Sequence, residues 1–92
     1  MDVYSEIAQK IIAEQETIIG PVAVEKAKEV VGLKVDWKNK TVVITGEPKK
    51  IIDNLVVVYK ELFGQISVEV CKDALRKIPE NLSPEQVPAS LR

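Results

Sequence analysis

A mostly helical α+β domain is predicted, in the order helix–helix–β-hairpin–helix–helix with an internal two-fold repeat. Three observations predict it. The densest apolar stretch, Ile51–Ile78, reads as helix, glycine, helix around Gly64. Two alternating runs, Leu33–Trp37 and Thr41–Thr45, flank the polar triplet Lys38-Asn39-Lys40, as in a hairpin. Finally, IIGPVAVEKAKEVV lies over LFGQISVEVCKDAL at an offset of 44, so Gly20 matches Gly64, Val24 matches Val68, Glu25 matches Glu69 and Lys28 matches Lys72.

The first helix is expected over residues 2–19. Tyr4, Ile7, Ile11 and Ile18 fall on one stripe, with Ala8, Ile12 and Ile19 beside it. Gly20 stops it, and Pro21 suits the first turn of a second helix running to Val31. That helix buries Ala23, Ala27, Val30 and Val31, and Gly32 ends it. In the hairpin, Asn39 is the residue expected to take the left-handed conformation. Gly46-Glu47-Pro48 breaks the second strand and opens the third helix, whose apolar arc spans Ile51, Leu55, Val58 and Leu62 together with Ile52, Val56, Tyr59 and Phe63. After Gly64, Val68, Cys71, Leu75 and Ile78 are spaced three, four and three, which gives a fourth helix over 67–78 with Ser67 as N-cap and Pro79 as stop. Residues 1–79 form the globular domain. The stretch 80–92, carrying Pro84 and Pro88, is expected to be an extended or mobile tail.

The same residues admit a competing reading. Ile66, Val68 and Val70 alternate like a strand, so GLKVDWKNKTVVITGEPKKIIDNLVVVYKELFGQISVEV can be strand, strand, helix, strand. In that form it resembles the second half of a ferredoxin-like α/β sandwich, as in heavy-metal-associated modules, with 66–70 as a strand. The resemblance covers less than half of the chain. The Cys-x-x-Cys loop of those modules is missing, so their metal-carrying function does not transfer.

Composition narrows function mainly by exclusion. With 46% apolar and 29% charged residues the chain is globular rather than disordered. At 92 residues it buries roughly 60–65% of its unfolded surface, enough for one modest core and little cavity. A net charge of −1 argues against a dedicated nucleic-acid binder. There is no His, and a single cysteine, Cys71, on the packed seam of the fourth helix. No Cys–His pair, internal disulfide or His-based metal site can therefore be built. Gly20 and Gly64 are isolated and belong to no phosphate-cradling loop. No enzyme, cofactor or metal is expected. The lone cysteine, the start Met1-Asp2-Val3-Tyr4 and the lack of an apolar run of ~18 residues point to a soluble cytoplasmic protein without a membrane partner. The absence of His with many Lys and Glu leans toward a heat-loving source.

What remains is binding. A two-stranded sheet with open edges and an Ile/Val-rich core in a short chain both gain from self-association. The leading expectation is thus a non-enzymatic protein-interaction or adaptor module, a homodimer, with Trp37, Val42 and Ile44 at the hairpin as contact residues. The rival is a nucleic-acid-binding accessory. Residues 21–60 hold eight of the thirteen basic side chains, and Lys34, Lys38, Lys40, Lys49 and Lys50 would make its anion-binding surface.

Overall fold

The computed structural model describes residues 2–78 and 82–92, and the expected stop at Pro79 and the start of the tail at Glu80 lie outside them. The fold is the mostly helical α+β arrangement: α1 (Val3–Ile19), α2 (Val22–Lys28), β1 (Leu33–Asp36), β2 (Thr41–Ile44), α3 (Pro48–Phe63) and α4 (Gln65–Arg76). Asp2 caps α1, its carboxylate accepting from the Ser5 amide at 3.0 Å. Pro48 sits in the first turn of α3, where its missing N–H costs nothing. The strands pair antiparallel with Leu33 opposite Ile44 and Val35 opposite Val42. These four make the inner face, which lies on the helices, while Lys34, Asp36, Thr41 and Val43 point outward.

Residues 65–70 are helical, not a strand, so the ferredoxin-like alternative does not hold. The helical seam prevails because it buries Val68, Cys71 and Ala74 together. Alternation would have put Ile66, which is exposed, on the same face as Val68. The helix also begins earlier than expected. It starts directly after Gly64, and Ser67, far from capping, is buried at its third position. The second helix is shorter than expected, ending at Lys28. Val30 then turns inward, but Val31 is 88% exposed rather than buried. Gly32 accounts for the break: it takes φ +87°, its carbonyl accepts from the Thr45 amide at 2.7 Å, and a Cβ there would lie 2.7 Å from the Thr45 carbonyl oxygen and from Ile51 Cδ1.

The offset of 44 is a structural repeat. Every buried residue of α3 and α4 has a buried counterpart 44 positions earlier: Ile51 with Ile7, Ile52 with Ala8, Leu55 with Ile11, Val56 with Ile12, Tyr59 with Gln15, Ser67 with Ala23, Val68 with Val24, Cys71 with Ala27 and Ala74 with Val30. The two hinges repeat in backbone as well, Gly20 at φ +80°, ψ −162° and Gly64 at φ +84°, ψ −170°. Each hinge amide donates to the carbonyl four residues back, Glu16 or Lys60, and each hinge carbonyl accepts from the amide three residues on, Ala23 or Ser67.

Among the buried hydrogen bonds that cross between the halves, the two to backbone carbonyls repeat in the same sense. Gln15 Nε2 donates to the Ser67 carbonyl at 3.0 Å, and Tyr59 Oη donates to the Ala23 carbonyl at 2.7 Å. Gln15 and Tyr59 are counterparts, as are Ser67 and Ala23. Exchanging the halves therefore exchanges the two bonds, so the halves are related by an approximate two-fold, with α2 shorter than its counterpart α4 and packed less closely on α3 than α4 is on α1.

The C-terminal stretch is packed, not extended. Leu91 is buried against the core, as is Pro88, in the turns after Pro84. Ser90 donates through its amide and hydroxyl to Asp53 Oδ1, at 3.0 and 2.5 Å, and Tyr4 Oη donates to the Gln86 carbonyl at 2.9 Å. The Ser83–Gln86 capping box stiffens the turn that makes this return. The segment following each helical pair thus covers that pair: the hairpin lies on α1 and α2, and the tail lies on α3 and α4.

Candidate interaction surfaces

The residues expected to bind divide into three groups. At the hairpin, Val42 is 2% exposed and Ile44 is half-buried, both on the inner face. Val42 is a core residue and Ile44 packs against the core, since register with Leu33 and Val35 turns both toward the helices. The outward apolar residue of β2 is Val43. Trp37 is half-buried in a 3-10 turn (Trp37–Asn39), and its indole N–H donates to Glu16 at 3.1 Å. Lys40, not Asn39, takes the left-handed conformation (φ +56°). Its ammonium lies 4.2 Å from the Trp37 ring centroid and 3.9 Å from Glu16. Asn39 instead ties back to Asp36 at 2.8 Å. The hairpin tip is therefore fixed to the last turn of α1.

The five lysines do not form one surface. Lys38 and Lys40 stand at the hairpin tip, Lys34 projects from its outer face, and Lys49 and Lys50 lie beyond the open end at the start of α3. Four strand residues, about 13 Å, separate the two ends. Two of the five are also engaged: Lys40 with Trp37 and Glu16, and Lys49 with the Glu85 carbonyl at 2.6 Å.

The third group is one that helical periodicity alone does not single out. The crossing bonds tie the last turn of α1 to the first turn of α4, and the last turn of α3 to the first turn of α2. Both glycine hinges therefore lie at one end of the molecule. The tail and the first turns of α1 and α3 lie at the other, joined through Tyr4, Lys49 and Asp53. At the hinge end four large apolar side chains face out: Ile18 (62% exposed), Val22 (38%), Leu62 (49%) and Ile66 (72%). They form two matched pairs at the repeat offset, each two residues before or after a glycine. Periodicity assigns Ile18 and Leu62 to the buried stripes. Ile19 and Phe63, the next residues along, are half-buried against the core, so the packing in each last turn falls on them and leaves Ile18 and Leu62 outside. The signal that could have found them is the repeat itself, which carries Ile/Leu and Val/Ile at positions that hinge geometry turns outward.

Buried chemistry at this end is inert. Cys71 accepts a 3.5 Å contact from Gln15 Nε2, and burial pushes its thiol up to about 11. Burial, with a smaller contribution from Cys71, also raises the Tyr59 phenol above its ordinary value. No helix among the described residues is long and apolar enough to cross a membrane. No protein-family model matches the chain, and comparison with curated proteins and with solved structures finds none similar to it.

Proposed function

We propose that this chain is a small non-enzymatic protein-interaction module that associates with itself. The observation that carries the proposal is the matched set of exposed apolar residues, Ile18, Val22, Leu62 and Ile66, gathered at one end of a well-packed body. Scattered apolar residues on a surface need no explanation, but a cluster repeated by internal symmetry does.

The energetics favour a modest association. Taken together, the four exposures amount to about two whole aliphatic side chains per copy, or four per pair. Covering them yields roughly 6–13 kcal/mol at ~1.5–3 kcal/mol per side chain. Lost translational and rotational freedom opposes this by about 4–15 kcal/mol. The two are of one size, so association should be concentration-dependent and weaker than in an obligate dimer. Light scattering over a concentration series tests this: mass should rise toward twice 10.2 kDa in the micromolar range. A strict monomer at high micromolar concentration refutes it.

A further inference from the structure

We infer that the hinge end is covered by a second copy of this chain, docked hinge on hinge across a two-fold axis in the plane of the patch. The inference rests on the self-association proposed above and names its surface and symmetry.

The internal two-fold exchanges Gly20 with Gly64, Ile18 with Leu62, and Val22 with Ile66, so it runs between the hinges and out through the patch. A surface with an approximate two-fold along its own normal presents the same apolar pairs to a second copy in either of two orientations. When a second copy is turned face to face, apolar pairs meet apolar pairs whichever half lies over which. Another copy meets both hinges with the same apolar pairs, and the hairpin tip held on Glu16 flanks the first hinge only. A contact of this kind is isologous and closes at two chains.

The contact is a small one: no face of a body of 31 × 27 × 22 Å in Cα extent much exceeds the ~800 Å² per partner of a standard interface. Charge chooses between the two ways of stacking. At matched positions in the last turns of α1 and α3 stand Glu16 and Lys60, opposite in sign. Lys60 is exposed and forms no ion pair among the described residues. Laying the first hinge of one copy over the second hinge of the other keeps the two Lys60 apart and sets each beside Glu16, which already holds Lys40 at 3.9 Å and Trp37 at 3.1 Å in its own chain. Stacking like on like sets Lys60 against Lys60. The crossed arrangement is therefore the one assigned, with Ile18–Val22 of each copy on Leu62–Ile66 of the other.

Variants of the full chain with one added cysteine read this directly, because the native Cys71 is fully buried. Ile18→Cys mixed with Leu62→Cys should form the intermolecular disulfide on mild oxidation, several-fold faster than either variant alone. Leu62→Gln with Ile66→Gln should weaken association at least tenfold while leaving the melting temperature within a few degrees, since both sites are exposed. Val43→Lys, on the outer face of the hairpin, should change nothing. Lys60→Glu should weaken the pair, more so at low salt. If light scattering shows a dimer but the mixed variants do not cross-link and the double Gln variant still associates, the hinge surface is overturned while self-association stands. Faster cross-linking of each variant with itself overturns the crossed arrangement. A monomer at every concentration removes both.

Discussion

Gly20 and Gly64 should tolerate D-alanine and reject L-alanine. Both sit near φ +80° with ψ close to 180°, a region that only glycine among the L-residues enters freely. In each case an added Cβ would meet nothing within 4 Å. An L-alanine at either hinge should therefore cost only backbone strain, about 1–3 kcal/mol. For a domain of this size that lowers the melting temperature by roughly 4–24 °C, at about 4–8 °C per kcal/mol. The mirror image of φ +80°, ψ −162° is an ordinary extended conformation, so D-alanine carries no backbone strain there. By restricting the unfolded chain it should stabilise the protein by about 0.4–1 kcal/mol. Urea and thermal denaturation of the two semisynthetic proteins, followed by circular dichroism, give the comparison. Equal destabilisation by both enantiomers at either hinge would show that the loss comes from space or from hinge flexibility, and would refute the reasoning. Gly32 should behave differently again, because the L-Cβ meets the Thr45 carbonyl at 2.7 Å and L-alanine should cost more there than at Gly20.

Three more outcomes follow from the packing. Tyr59→Phe and Gln15→Met each remove a crossing hydrogen bond to a backbone carbonyl while roughly keeping volume, the second with the weak Cys71 contact as well, and each should cost about 0.5–1.5 kcal/mol in urea unfolding. Leu91→Ala should cost about 2–3 kcal/mol, the low part of the range for a buried leucine, whereas a free tail would give no loss. Raising the pH should leave stability flat up to about 9 and then lower it as pH climbs toward 11. The unfolded Cys71 thiol ionises from about 9 upward, whereas the folded one, held up by burial, resists until about 11, so the unfolded state gains over that window. Two pH units at ~1.36 kcal/mol each make the loss roughly 3 kcal/mol. Cys71→Ala should show a visibly smaller decline over the same range.

The helices and the hairpin were legible because their signals were redundant. In α3 an apolar arc three turns long, Pro48 at the start and Gly64 at the end all agree, and the strand propensity of Val56–Tyr59 could not outweigh them. The repeat was legible from a few identities, yet its depth was not. That Gln15 and Tyr59 are counterparts cannot be read from two unlike side chains. It becomes visible only when both are found buried and bonding across to the other half. Three misreadings share another cause, since local pattern is silent about what arrives from elsewhere in the chain. Val42 and Ile44 read as surface residues because nothing local tells which hairpin face meets α1 and α2. The tail, rich in proline and poor in apolar residues, gives no hint that Leu91 would find a site on α3 and α4. Ile18 and Leu62 match the helical period, but the period does not say that the packing in each last turn falls on Ile19 and Phe63.

The crossing bonds also bear on how the chain acquires its structure. The Gln15 amide and the Tyr59 hydroxyl find their hydrogen-bond partners in the other half, so neither helical pair has a finished interior alone. The halves should therefore co-fold in a single cooperative step. A chain severed at the exposed tip, between Lys38 and Asn39, should behave as two fragments that are unstructured apart and reconstitute the domain when mixed.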